Sequence, residues 1–569
     1  MRTIFFENCM KKTFTLAKTH IYILGAALIA VGFVLGSIAQ EKQKVVTRSM
    51  IAEAEKIIGL HFTEERRDSL LDEVNGNLQN FTDVRAVSLA NSVTPAFVFN
   101  PIPAGTTFPA QSHSFKSSLY TPSLPVNREE LAFYSIGDLA ALIKARKITS
   151  VELTTLYLNR LKKYGSELLC TITLTEELAL AQARRADAEI AKGKYRGLLH
   201  GIPYGAKDLL STKTYKTTWG SALYKDQVLN EDATVIKRLE EAGAVLVAKL
   251  SLGEFAMGDV WYGGMTKSPW NLKDGSSGSS AGSASATAAG LVAFAIGTET
   301  YGSIVSPSTR CGVTGLRPTF GRVSRTGAMA LAWTFDKIGP LCRTVEDCAI
   351  VFNAIYGKDG LDASVYDASF NYSPAVNWKK LRVGYVKELF ENDKGSTASD
   401  SAVLATLRKL GAELVPIELP KKYPVGSLDY LVGAEAAAAF DDLTRSGRDS
   451  MIVQQHKFAW GNQFRAARFI PAVEYIQAQR VRSLLIEEMA TLMKTVDVYV
   501  CPTFEGNNLL LTNLTGHPCV VVPSGFRADG RPLSITFCGR LFDEGTLMAV
   551  AKKYQDATDF HKKRPPFVQ

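Results

Sequence analysis

The chain has 569 residues, 46% hydrophobic and 21% charged, an ordinary globular composition with length for one large domain and a smaller unit. The formal charge is +9, of which residues 1–39 supply +3 through Arg2, Lys11, Lys12 and Lys18 against Glu7. No basic run interleaves with aromatics, so nucleic acid is not implied as a partner. Eight cysteines stand singly, without a CxxC pair or zinc spacing; this argues against a disulfide framework, leaves one bridge open and implies no metal.

Residues 1–20 are basic on balance, and the eighteen residues 21–38 carry no charge, the lower edge of what spans a bilayer. Ser37 and Ala39 are small residues at the −3 and −1 positions of a signal cleavage after residue 39. A cleaved export signal and an uncleaved anchor both fit this segment, with a buried helix as a third reading. Either of the first two places the remainder outside the cytoplasm, periplasmic or extracellular. Membrane contact is then expected only through residues 21–38, and only if the leader stays on.

Residues 40–90 form a helical accessory segment with no evident chemistry. Met50 to Leu60 is amphipathic, Thr63 caps a second helix opening with Glu64 and Glu65, and Asn75-Gly76 is its expected stop. Across residues 91–130, Pro95, Pro101, Pro103, Pro109, Pro122 and Pro125 predict an extended connector. Phe97 and Phe99 on it require apolar cover on the main domain, residues 131–569.

Beyond Tyr134 helices and strands alternate. Apolar spacing predicts helices over 136–147, over 150–164 with Ser150 as cap, and over 176–192. A strand follows in LLHGIPYGAKDLL (198–210), then a helix over 233–243 and a strand over 244–249. This rhythm predicts an α/β domain, a mixed central sheet largely buried between helices.

Residues 275–303, GSSGSSAGSASATAAGLVAFAIGTETYGS, hold seven serines and six glycines. Composition alone allows a flexible linker. The apolar run from Leu291 to Ile296 argues instead for order: a glycine turn, a helix of small residues, a strand and a second glycine turn ending at Gly302-Ser303. Backbone N–H groups from Thr300 through Tyr301 and Gly302 to Ser303 suit an oxyanion hole beside a nucleophile. The alternative is a tight turn without chemistry. Lys207, in apolar company, either reaches water, pairs with Asp208, or is buried with a lowered pKa, in which case it is a general base. A rival pattern lies in the same stretch: Gly278-Ser279-Ser280-Ala281-Gly282 matches G-x-S-x-G, making Ser280 the nucleophile with a histidine such as His517.

The ordered set GIPYGAKD, SSAGSASATAAG, GTETYGSIVSPS and CGVTGLRPTFGRVS, with a late NLTGHPCVVVPSG, resembles the amidase signature family of serine amide hydrolases over roughly residues 134–563. The resemblance implies Lys207 as base, Ser279 as a serine following a cis peptide, and Ser303 as nucleophile. The family's 24-residue step between its two serines selects Ser279. It implies a Ser–cisSer–Lys triad hydrolysing a small amide or a peptide amide through an acyl-enzyme, with no cofactor and no metal. His200 is then structural. Ala281 departs mildly from the family pattern, while Tyr301 and Val305 replace its usual glycine or aspartate and its arginine. A second member class, the A subunit of a tRNA-dependent amidotransferase, hydrolyses glutamine and hands ammonia to a partner. An exported chain argues against it, as does the lack of a recognisable GVRYG-type glutamine segment. A dead scaffold is the third reading. Specificity is expected in loops between Tyr356 and Ala472.

Overall fold

A computed structural model describes residues 46–103, 106, 113–391 and 397–568, so the apolar run at 21–38 lies outside the described residues. Among them, no helix is long and apolar enough to cross a membrane. The chain divides into two compact units at Leu89/Ala90.

In the first unit, helix α1 (Arg48–Ile58) is capped by Thr47 and helix α2 (Glu64–Arg85) by Thr63, whose hydroxyl accepts the Arg66 N–H. The expected stop at Asn75-Gly76 does not occur. The Asn75 amide donates to Leu71 O at 2.8 Å and Val46 O at 3.2 Å and accepts the Val46 N–H at 3.0 Å. Its side chain therefore ties α2 to the chain entering α1, and the helix runs on past Gly76. Arg67 clamps the buried Glu55 through Nε at 2.8 Å and Nη2 at 2.9 Å.

The second unit is built on a mixed sheet of eleven strands among the described residues. In chain order these are β1 (Thr171–Leu174), β2 (Pro203–Lys207), β3 (Val245–Leu250), β4 (Phe294–Glu299), β5 (Thr314–Arg317), β6 (Lys337–Cys342), β7 (Val383–Val386), β8 (Leu414–Ile417), β9 (Val498–Pro502), β10 (Cys519–Phe526) and β11 (Pro532–Gly539). Their spatial order is 8-7-9-11-10-5-6-4-2-3-1. Strand β2 lies between β3 and β4, parallel to both, and β6 runs antiparallel to β4. All five residues of β2 and all six of β3 are buried, as continuous apolar strands inside an α/β sheet are. The fold class is the one expected: α/β, with a large mixed sheet flanked by helices and a small helical unit before it.

Several boundaries shift: the strand expected over 198–210 is confined to β2 (203–207), and the helix expected to end at 164 runs to Leu168. Helix α3 (Ile136–Lys144) ends three residues before the expected Lys147. Helix α4 (Ser150–Leu168) is capped by Thr149, not Ser150, in a capping box with Glu152. The Ser150 hydroxyl donates instead to Gly201 O at 2.9 Å. Helix α5 (Glu176–Ala191) and helix α6 (Thr234–Glu241) follow the apolar spacing closely. The seven described cysteines are free and buried.

The proline-rich segment lies along the second unit. The Asn91 amide donates to Ala330 O at 2.9 Å and accepts the Ala330 N–H at 2.7 Å. Phe99 meets Phe320 edge to face at 5.0 Å and stacks on Arg482 at 3.6 Å.

Candidate active site

Lys207 ends β2, an interior strand of the sheet between β3 and β4, with no exposed surface. The neighbouring acid does not neutralise it: Asp208 pairs with Lys249 of β3 at 2.8 Å and accepts from Thr218 N at 2.8 Å and Oγ1 at 2.6 Å. Lys207 Nζ instead donates to neutral oxygens, Ser279 Oγ and Thr298 Oγ1 at 2.8 Å each and Ser280 Oγ at 3.2 Å. Burial drives its pKa down to about 7, with Asp336 and Glu299 pulling back only in part. Of the three fates open to this lysine, the structure displays burial with a depressed pKa. An amine so poised is half neutral near pH 7, the condition for a general base.

The glycine-rich stretch is ordered throughout, which removes the linker reading. Its small residues make helix α7 (Ala281–Ala288), and β4 follows. The Gly278–Ser279 peptide bond is cis. A Cβ on Gly278 would lie 1.7 Å from Gly258 O, so only glycine fits where the two backbones touch. Ser280 is a stitch: its hydroxyl donates to Thr298 O at 3.0 Å and accepts the Thr298 N–H at 3.1 Å. Its own N–H donates to Ser303 O at 3.1 Å, joining the start of α7, the end of β4 and the Ser303 turn.

Ser303 follows Gly302, whose φ of +88° is the left-handed conformation glycine adopts freely. It precedes the short helix α8 (Val305–Cys311). Among the described residues, the N–H groups of Tyr301, Gly302 and Ser303 donate to no protein acceptor. The turn is braced from below. Glu299 Oε2 accepts the N–H groups of Ile304 at 2.9 Å and Val305 at 3.0 Å. Its Oε1 accepts from Arg317 Nη1 at 2.8 Å and Asn513 Nδ2 at 2.9 Å. Burial works to raise the Glu299 pKa, but Arg317, Lys337 and these hydrogen bonds prevail and hold it at about 2. Asp336 accepts the Thr300 hydroxyl at 2.6 Å and fixes the turn from the β6 side.

The rival pattern finds no support here. The Ser280 hydroxyl is engaged by Lys207 and by both backbone groups of Thr298. His517 is buried, shares a hydrogen bond with Thr515 Oγ1 at 2.9 Å, and is driven down to about pKa 3 by burial and Arg317. His200 accepts the Arg196 N–H at 3.1 Å and faces Glu189 at 3.2 Å, a structural setting. Val305 is buried beside Phe335 and Ala332 in an apolar cluster, whereas Tyr301 is 45% exposed. Spacing pointed to neither Thr298, Ser280, Glu299 nor Asp336 as braces. The visible signal was polar residues flanking an apolar strand, at Thr298-Glu299-Thr300. Among the described residues no group of three His, Cys, Asp or Glu side chains is placed to hold a metal.

A family model described as Amidase matches residues 152–511, well over half of the chain. The chain belongs to the amidase signature family. Curated relatives include the glutamyl-tRNA(Gln) amidotransferase A subunit of Coxiella burnetii (strain RSA 493 / Nine Mile phase I), 34% identical and matched over 76% of this chain and 99% of its own. That of Methylococcus capsulatus is 36% identical, over 76% and 98%. Among solved members of the family, native peptide amidase from Stenotrophomonas maltophilia is 29% identical, with a TM-score of 0.68 over 77% of this chain and 99% of its own. The glutamyl-tRNA(Gln) amidotransferase A subunit from Thermotoga maritima is 27% identical, with a TM-score of 0.62 over 75% and 95%.

Proposed function

We propose that the chain hydrolyses a primary carboxamide to acid and ammonia through an acyl-enzyme on Ser303. The observation that carries this is Lys207 Nζ, desolvated to a pKa of about 7 and 2.8 Å from Ser279 Oγ. Neutral Lys207 accepts the Ser279 proton while Ser279 takes that of Ser303, and Ser303 Oγ attacks the amide carbon. The tetrahedral oxyanion sits against N–H groups drawn from Thr300, Tyr301, Gly302 and Ser303. The relay runs backwards to protonate the departing nitrogen, and water then cleaves the Ser303 ester by the same route. The test is labelling by a fluorophosphonate probe. Expected is attachment at Ser303, lost in Ser303→Ala and weakened in Lys207→Ala; labelling at Ser280 sinks the assignment.

Two fates for the ammonia divide the reading. Sequence similarity supports the A subunit of an amidotransferase, since the curated relatives at 34–36% identity carry that name. The likeness to a peptide amidase, over 99% of that chain, supports a free-standing enzyme. We place the free-standing enzyme first because the chamber lined by Thr298 and Thr300 is mainly apolar, and we propose export on the charge-free run at 21–38. The two are separated by assaying ammonia release from glutamine and from peptide amides, and by mass spectrometry of proteins co-purifying with the chain. A mature N-terminus at Gln40, determined on protein from its native host, would support export.

A further inference from the structure

A chamber of about 320 Å³ opens beside the Lys207 end of β4. Thr298, which accepts from Lys207, and Thr300 of the Ser303 turn both line it. Part of its wall is the strap of residues 91–99, which lies before the family-matched residues 152–511. The strap is fixed at both ends: Asn91 on Ala330 by two hydrogen bonds, and Phe99 in a sandwich over Arg482, whose other face lies on Phe335 at 4.2 Å. Asn100 just beyond accepts the Tyr366 hydroxyl at 2.9 Å. Between these anchors the strap crosses the chamber and presents Phe97, half exposed, to it.

The interior is mainly apolar, with Ala256, Met329, Leu331 and Trp333 lining it together with Phe97 and Phe99. Its charged groups are committed elsewhere. Arg325 is held by Asp362 at 3.0 Å and Ser364 at 2.8 Å, Asp336 by Thr300 at 2.6 Å and Leu331 N at 2.8 Å, and Lys337 by Asn513 at 2.7 Å. Glu231 is exposed at the rim. A free amino acid needs a partner for each of its two charges on burial; here Arg325 is taken by Asp362, and the hydrogen-bonding atoms of Asp336 and Lys337 are occupied by neutral partners. Trp333 Nε1–H, buried without an acceptor among the described residues, offers a neutral donor instead.

We propose that the strap, through Phe97, is a specificity element that makes this site select amides of small, uncharged, apolar acyl groups over glutamine. A chamber near 320 Å³ stands at the small end of ligand pockets, consistent with an acyl chain of a few carbons. The proposal rests on the reading of Ser303 as the nucleophile beside this chamber.

The test uses the full chain and measures kcat/KM on acetamide, hexanamide and glutamine for wild type, Phe97→Ala and Phe97→Trp. Because Phe97 is half exposed, neither variant is expected to disturb folding, and Tm is measured alongside. Expected is a wild-type preference for hexanamide over glutamine of at least about tenfold, the scale of discrimination in an apolar pocket. The hexanamide-to-acetamide ratio should fall several-fold in Phe97→Ala, and Phe97→Trp should reject hexanamide while retaining acetamide. A preference for glutamine, or ratios unchanged in both variants, overturns the proposal. Fluorophosphonate labelling of the same samples keeps the underlying reading separate. If Ser303 stays unlabelled, hexanamide binding by calorimetry decides: affinity lost in Phe97→Ala upholds the strap, and equal affinity overturns it.

Discussion

At the scale of single residues, the proposed chemistry depends on which of two adjacent groups receives a counter-charge. Asp208 gives its charge to Lys249, and Lys207, one residue earlier, is left among hydroxyls. Since the amine must be neutral to accept a proton, the rate of Ser303 labelling should climb about tenfold per pH unit below 7 and level off above it, given a pKa of about 7. A flat profile between pH 5 and 8 would remove Lys207 from the reaction. Lys207→Met should slow labelling by about 10²–10⁴-fold, the range for losing a general base. Ser280→Ala tests the opposite role. It removes a stitch and no step, so it should cost about 1 kcal/mol of stability with labelling at Ser303 retained.

At the scale of elements, two glycine turns and the brace beneath them set the geometry. Gly278→Ala would drive a methyl into the Gly258 carbonyl at 1.7 Å, so backbone must move. Its expected signature is a lower Tm together with lost labelling. Glu299 connects the Ser303 turn to Arg317, Asn513 and α8, and removing its charge strands a buried guanidinium. Glu299→Gln should therefore cost about 3–5 kcal/mol in urea unfolding. The same group predicts acid behaviour. Its folded pKa of about 2 lies below the ordinary 4.5, so its contribution is complete above pH 4.5 and lost as pH falls toward 2. Much of this was legible in the sequence, because apolar runs around Lys207 and Ile296 have no stable place but a buried sheet, and glycines mark turns. The brace was not legible. Glu299 meets Asn513 across 214 positions, a pairing that only the folded sheet order brings about. Asn75-Gly76 misled for a similar reason: a side chain that usually ends helices found a partner at Val46 and let the helix continue.

At the scale of the whole molecule, the division at Leu89/Ala90 leaves Lys207, Ser279, Ser303 and the strap within one unit. A chain beginning at Ala90 should therefore label at Ser303 at the full-length rate; a tenfold loss would show that the first unit takes part. The seven described cysteines give that unit a further property, since each is free and shielded from solvent. Thiols react as exposed thiolates, so an alkylating reagent meets these only when the structure opens. The described residues thus carry seven internal timers of the unit's own opening, spread from Cys170 to Cys538. The order in which a trace of iodoacetamide marks them in dilute denaturant maps which parts of the sheet come apart first.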